Sequence, residues 1–418
     1  MAVISRAIPT LLRGISQAAD STKQADHADI QDNADSNPVL GLVKRSGLQY
    51  VTNLSSSTLG NVHIQTINRD VNERYVAVFS NGNVKVYDID GTEKTVNKPD
   101  GTTYLNTSDP RSVMKTVSVA DYTFVVNTSI TAAMDSTLSL SSSNITQAIV
   151  FLNQISDKST YTINVDSTTA SHDTTNDTAL DTSFVAGTLA NKLLGINGQS
   201  PTSGSALSGF TVVQNGSVLH IKKNDGSNFS ISGTDTQGET QLTIVKNSVQ
   251  RFTDLPTVSP NGYVVEVKGD ENTNFDNYYV KFVTNNGGTF EEGQWEECVE
   301  PGIEFKFNYD TMPHVLVRQA DGNFRFARVD GDTYTISGTD YTLPKWGERT
   351  VGDLDSAPSP SFIGSKINNV FFFRNRLGFL ADDNVILSRA AEFFNFFPET
   401  VLSVVDSEPI DVAASHTK

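Results

Sequence analysis

The densest group of residues able to do chemistry is acidic: Glu291, Glu292, Glu296, Glu297, Glu300 and Glu304, interrupted by Trp295 and Cys298. Paired carboxylates can serve as general acid and base on glycosidic bonds. A solvated hairpin face gives the same run of charges and is the favoured account. Asp88-Ile89-Asp90-Gly91 and Asp330-Gly331-Asp332 resemble the first ligands of calcium loops. Neither continues to the distal Glu that an EF-hand loop requires, so hairpin turns are expected there. The six histidines, His27, His63, His172, His220, His314 and His416, are dispersed without metal-ligand spacing. His314 follows Met312-Pro313, where a turn or strand-start role outweighs catalysis. The single cysteine, Cys298, excludes an intrachain disulfide and reads as a packed thiol. Without a Gly-x-Ser-x-Gly elbow or a phosphate loop, no catalytic, cofactor-binding or metal residue is expected.

The elements that must position these residues read as strands. Asn-Gly and Asp-Gly pairs recur from Asn81 to Asp330, often between alternating apolar runs, and such pairs accept the positive φ of hairpin turns. Residues 74–79 and 84–87 form one predicted hairpin, and residues 315–319 and 324–329 another. A formal charge of -17 with only 37% apolar residues over 418 positions favours antiparallel sheets exposed on one face, and two or three domains. Scattered Lys and Arg in an acidic chain argue against a stable grip on nucleic acid. An acidic surface could let DNA slide past; keeping the protein soluble is an equal alternative. Ile4, Ile8, Leu11 and Ile15 recur at helical spacing, a candidate docking arm or a helix folded on its own core. Residues 18–37 are acidic and read as a linker or strap. No secretory signal is apparent, so synthesis in the cytoplasm is expected.

Residues 131–250 read as a variable α+β module. Its helix is predicted over 183–194, capped by Asp181 or Thr182 and stopped by Gly195, with Phe184, Leu189 and Leu193 on one stripe. Strands are expected at 160–165, 210–213 and 217–222. Residues 198–209 form a loop rich in Gly and Ser. Further on, eight Phe fall between Phe371 and Phe397 and can supply a core. Residues 370–373, 377–380 and 385–387 read as a three-stranded meander, after which Ser388 would cap a helical turn ended by Pro398. Arg374 and Arg376 would pair with Asp382 or Asp383 across the meander, or contact a neighbouring subunit.

This stretch also carries a resemblance. FFFRNRLGFL at 371–380, NVILS at 384–388 and DSEPIDVAASHT at 406–417 resemble segments of the tail tubular protein B, or tail nozzle, family of short-tailed bacteriophages (podoviruses). Gly14-Ile15-Ser16-Gln17, Gly41-Leu42-Val43-Lys44-Arg45, Met312-Pro313-His314 and Pro360-Ser361-Phe362-Ile363-Gly364 fit the same pattern; residues 131–249 fit loosely, and Ala18 and Ser46 depart from it. The family continues beyond the segment that holds Lys418, so a fragment is expected. The resemblance implies a structural virion protein at the distal end of the short tail, forming a homohexameric ring. That ring docks on the adaptor (tail tubular protein A) ring, helps attach tail fibres, and encloses a channel through which double-stranded DNA passes transiently during genome ejection. It also implies a mainly β fold of antiparallel hairpins and meanders, part of a β-propeller-like nozzle domain. The expected division is residues 1–49 as docking arm and linker, 50–130 as the first part of a β-rich domain, 131–250 as the α+β insert, and 251–418 as the propeller-like nozzle domain. The candidate assembly interface is Ile8, Leu11, Leu12, Ile15, Lys44, Arg45, Arg374 and Arg376. The alternative readings are a glycan-binding adhesin on the insert or a polysaccharide hydrolase using the acidic cluster.

Overall fold

A computed structural model describes residues 12–139, 144–268 and 277–414, with 41% strand and 7% helix, which makes the protein mainly β. Nearly every strand pairing is antiparallel, as the Asn-Gly and Asp-Gly turns demand. The chain divides into two compact units, Met1–Thr58 and Leu59–Lys418. Within the described part of the first, Ala34–Asn37 pairs with Gly41–Lys44. Asn37 turns this hairpin, its side-chain oxygen accepting from the amides of Val39 (2.8 Å) and Leu40 (3.0 Å). The expected linker at 18–37 is therefore a strand at its far end.

The second unit contains two four-stranded meanders. The first runs His63–Asn68, Arg74–Ser80, Asn83–Asp88 and Glu93–Lys94 in spatial order. The second runs Ile367–Phe373, Arg376–Ala381, Asn384–Leu387 and Ile410–Ala413, one strand more than the sequence reading gave. Arg374 (φ 45°) and Asn375 (φ 60°) both adopt left-handed backbone, so a two-residue turn joins the first pair of strands and Arg376 enters the sheet. A five-stranded sheet also brings Met114–Val119 and Tyr122–Asn127 beside His314–Arg318 and Phe324–Ala327. Trp346, Phe362, Phe379, Phe396 and Phe397 share its largest core cluster. Of the Phe run at 371–373, Phe371 and Phe372 are half-buried and Phe373 is 53% exposed, because that strand lies at a sheet edge. No helix follows Ser388. Its hydroxyl accepts from the Leu377 amide (3.0 Å) and donates to the Arg389 carbonyl (3.0 Å), so the side chain is held by the meander and cannot cap.

Between residues 144 and 298 stand a four-stranded sheet, a three-stranded sheet, the helix Thr182–Leu194 and a second five-stranded sheet. Asp181 caps the helix by accepting from the Ser183 amide at 2.8 Å, and Gly195 ends it at φ 65°. The buried face is Val185, Ala186, Leu189, Ala190 and Leu193, whereas Phe184 is 54% exposed. Phe184 faces away because the nine-residue step from it to Leu193, at about 100° per residue, places the two on opposite sides of the helix. The segments that lead into and out of this region pair with each other as a neck, through the antiparallel bridges Met134↔Phe307 and Leu138↔Glu304. Arg349, 1% exposed, closes this neck. Its guanidinium donates to the Glu304 carbonyl (2.5 Å) and Ser359 Oγ (2.9 Å) and lies over the Phe397 ring at 5.2 Å.

Candidate assembly surfaces

Ile8 and Leu11 lie outside the described residues, as does Ile4. Leu12 is half-buried in a turn, and Ile15 is 56% exposed beside its bridge to Ala28. Lys44 and Arg45 are both exposed at the end of the hairpin. Sequence reasoning missed the stronger feature. No apolar side chain among residues 12–58 is buried, while Ile30, Val39, Leu40, Leu48 and Tyr50 are each more than 70% exposed. A two-stranded hairpin is marginal alone, and here two large aliphatics, Val39 and Leu40, stand exposed side by side at its tip. The signal was legible at Val39-Leu40, two aliphatics at a hairpin tip where polar residues are the rule.

The two arginines of the meander separate in role. Arg376 is buried and donates to the carbonyls of Ser388 (2.6 Å), Glu408 (2.5 Å) and Asp406 (2.7 Å), fastening the loop before Ile410–Ala413. The expected pairing with Asp382 or Asp383 is not made: Asp382 accepts from Ser365 Oγ at 2.6 Å instead. Arg374 is exposed at the turn, over the Phe373 ring at 5.4 Å, so these two residues form an accessible cation-aromatic pair. Arg389, also buried, faces Glu392 (2.9 Å), Glu399 and Glu408 (3.9 Å) and binds the same loop.

The acidic cluster does not assemble a carboxylate pair. Glu291 to Glu297 lie on the strand Phe290–Cys298, where consecutive side chains point to opposite faces, so Glu296 and Glu297 diverge. Glu291 accepts from the amides of Asn286 (3.1 Å) and Gly288 (2.9 Å), Glu297 from Val401 N (2.9 Å) and Thr400 Oγ1 (2.7 Å), and Glu300 from the Tyr279 hydroxyl (3.1 Å). These carboxylates organise loops. Both calcium-like segments are turns neutralised by side chains: Asp88 by Lys94 (3.0 Å), Asp330 by Arg328 (3.3 Å), Asp332 by Arg325 (2.9 Å). Among the described residues no group of three or more His, Cys, Asp or Glu converges as a metal site. His314 is buried against Tyr104, ring centroids 3.9 Å apart, and burial lowers its pKa to about 4. Burial likewise pushes the Cys298 thiol up to about 12. The 198–209 loop is fastened: Thr168 Oγ1 donates to the Ser205 carbonyl (2.6 Å), and a Cβ on Gly204 would sit 2.2 Å from the Ser167 carbonyl oxygen.

Residues 1–418 match the bacteriophage nozzle protein family. The chain belongs to that family. Tail tubular protein gp12 of Escherichia phage T7 is similar to it, at 35% identity over 433 aligned residues, covering 99% of this chain and 50% of that protein. The chain therefore spans about half the length of the relative it matches. Membership makes it a structural protein of the phage virion tail, in a non-enzymatic family.

Proposed function

We propose that the chain is the N-terminal part of a nozzle subunit that closes into a homohexameric ring, docks on the adaptor ring, contributes to fibre attachment and encloses the DNA exit channel. The carrying observation is the described part of the first unit, residues 12–58, in which no apolar side chain is buried and Val39, Leu40 and Leu48 stand exposed. This unit serves as the docking arm, with Leu12, Ile15, Lys44 and Arg45 on it and Ile8 and Leu11 preceding it. Arg374 serves a second contact, toward the neighbouring subunit or a fibre. Arg376 supports that contact from behind the sheet. A ring of identical subunits needs two different complementary faces on each copy, and these two regions are offered for the role.

In the finer fold, the two four-stranded meanders are the kind of unit from which propeller blades are built. A propeller-like nozzle domain over 251–418, completed by strands from 50–130, with 131–250 as an inserted α+β module, is the domain division we propose. DNA passage is transient: Arg328 is held by Asp100 (3.2 Å), Asp310 (2.9 Å) and Asp330, and Arg318 by Glu73 (2.5 Å), which leaves these guanidinium groups engaged and unavailable to phosphates. The docking role is tested by V39D/L40D in a pull-down on the adaptor ring. Capture should fall roughly tenfold or more with the melting temperature unchanged, whereas undiminished capture would remove the arm from the interface.

A further inference from the structure

Five Asn-Gly pairs stand in the chain, beginning at Asn81, Asn197, Asn215, Asn261 and Asn286. Besides turning hairpins, this dipeptide has covalent chemistry of its own, because Gly lacks a Cβ and leaves its backbone nitrogen open to the preceding side-chain amide. Two groups must be free for that reaction: the Asn side chain, which swings over its own backbone, and the Gly N–H, which gives up its proton. In four of the pairs at least one is held. Gly82 N donates to the Leu105 carbonyl (3.1 Å), and Asn81 Oδ1 accepts from the Thr107 amide (3.1 Å). Gly262 N donates to the Phe282 carbonyl at 2.8 Å. Asn197 Nδ2 donates to Asn191 Oδ1 (3.0 Å), and Asn215 Nδ2 to the Phe290 carbonyl (3.0 Å). Asn286 and Gly287 differ: both are exposed, and among the described residues neither the Asn286 side chain nor the Gly287 N–H has a hydrogen-bond partner.

We propose that Asn286 is the site at which this chain deamidates. The Gly287 nitrogen attacks Asn286 Cγ; the N–Cγ bond forms as Cγ–Nδ2 breaks, and the side-chain nitrogen leaves as ammonia with the proton given up by the Gly287 amide. Water then opens the five-membered succinimide. Opening at Cγ gives aspartate at this position, and opening at the backbone carbonyl carbon gives isoaspartate. One water is consumed, one ammonia is released, and nothing is oxidised or reduced. The location decides the consequence. Glu291 Oε1 accepts from the amides of Asn286 (3.1 Å) and Gly288 (2.9 Å), which flank the reacting peptide unit. Isoaspartate inserts an extra backbone methylene between those two donors, so one carboxylate oxygen no longer spans them. Either product also places a new negative charge beside Glu291. The turn joining Tyr278–Thr284 to Phe290–Cys298 is thereby loosened.

The test incubates the full chain at mildly alkaline pH, where the Gly amide gives up its proton more readily. Each Asn-Gly peptide is followed by mass spectrometry, with isoaspartate resolved by electron-transfer fragmentation. Asn286 should convert roughly tenfold or more faster than any of the other four. Asn286→Gln, whose longer side chain would have to close a six-membered ring, should suppress conversion in that peptide. In the chain unfolded in urea the five rates should draw together, because the hydrogen bonds that hold the other four pairs are gone. Conversion at Asn286 no faster than at the other sites overturns the proposal, as does a ranking that survives unfolding unchanged.

Discussion

At the scale of single residues, buried polar groups do most of the organising, and their chemistry gives separable predictions. Arg374→Ala should leave stability within about 0.5 kcal/mol, as for a surface substitution. Arg376→Ala strands three carbonyls and should cost about 3 kcal/mol, read as a drop in denaturant midpoint. Equal effects would contradict the assignment of one to the surface and the other to the interior. His314 is neutral in the folded protein, with its pKa lowered to about 4 by burial, while in the unfolded chain it titrates near 6.5. Its contribution is therefore fully present above about pH 6.5 and is lost as pH falls towards 4, amounting to about 3 kcal/mol. His314→Gln should flatten the stability profile in that window; an unchanged slope would mean that other groups control it. Nothing in the sequence signalled that Arg349, Arg376 and Arg389 are buried. Their partners are mainly carbonyls and carboxylates brought near by loops distant in sequence, which no local pattern reports.

At the scale of elements, the turns were readable and the contacts between elements were not. The helix cap at Asp181, its stop at Gly195 and the strand Thr160–Val165 fell where local chemistry puts them, because each depends on residues within a few positions of one another. Phe184 was assigned to the buried stripe on hydrophobicity alone. The helical phase sets it aside, because Phe184 stands about 180° around the helix from Leu193, which lies at the centre of the buried face. The helical turn after Ser388 failed for a related reason, since pairing with Leu377 captures the hydroxyl that would cap it. The neck at residues 131–139 and 302–308 flanks the 144–298 region, which Glu297 also ties to Thr400 and Val401. Arg349→Met removes the donors to Glu304 O and Ser359 Oγ while keeping bulk. It should raise amide exchange at 302–308 by roughly tenfold or more, with exchange in Thr182–Leu194 unchanged. A uniform rise across both segments would show that Arg349 stabilises the unit globally and does not pin the neck.

At the scale of the whole molecule, function was legible because sequence runs at 371–388 and 406–417 carry a family resemblance, which the match over residues 1–418 establishes. Composition and spacing alone led only to an acidic, hairpin-rich β protein. The exposed apolar surface of residues 12–58 was legible only at Val39-Leu40, since a sequence does not say which other aliphatics lack a core. That surface makes assembly the central claim. The most direct test is native mass spectrometry of the purified chain, alone and mixed with the adaptor ring. The account predicts a closed ring of six copies, formed alone or on the adaptor, that V39D/L40D fails to attach to the adaptor. A chain that stays monomeric in both conditions would contradict the account.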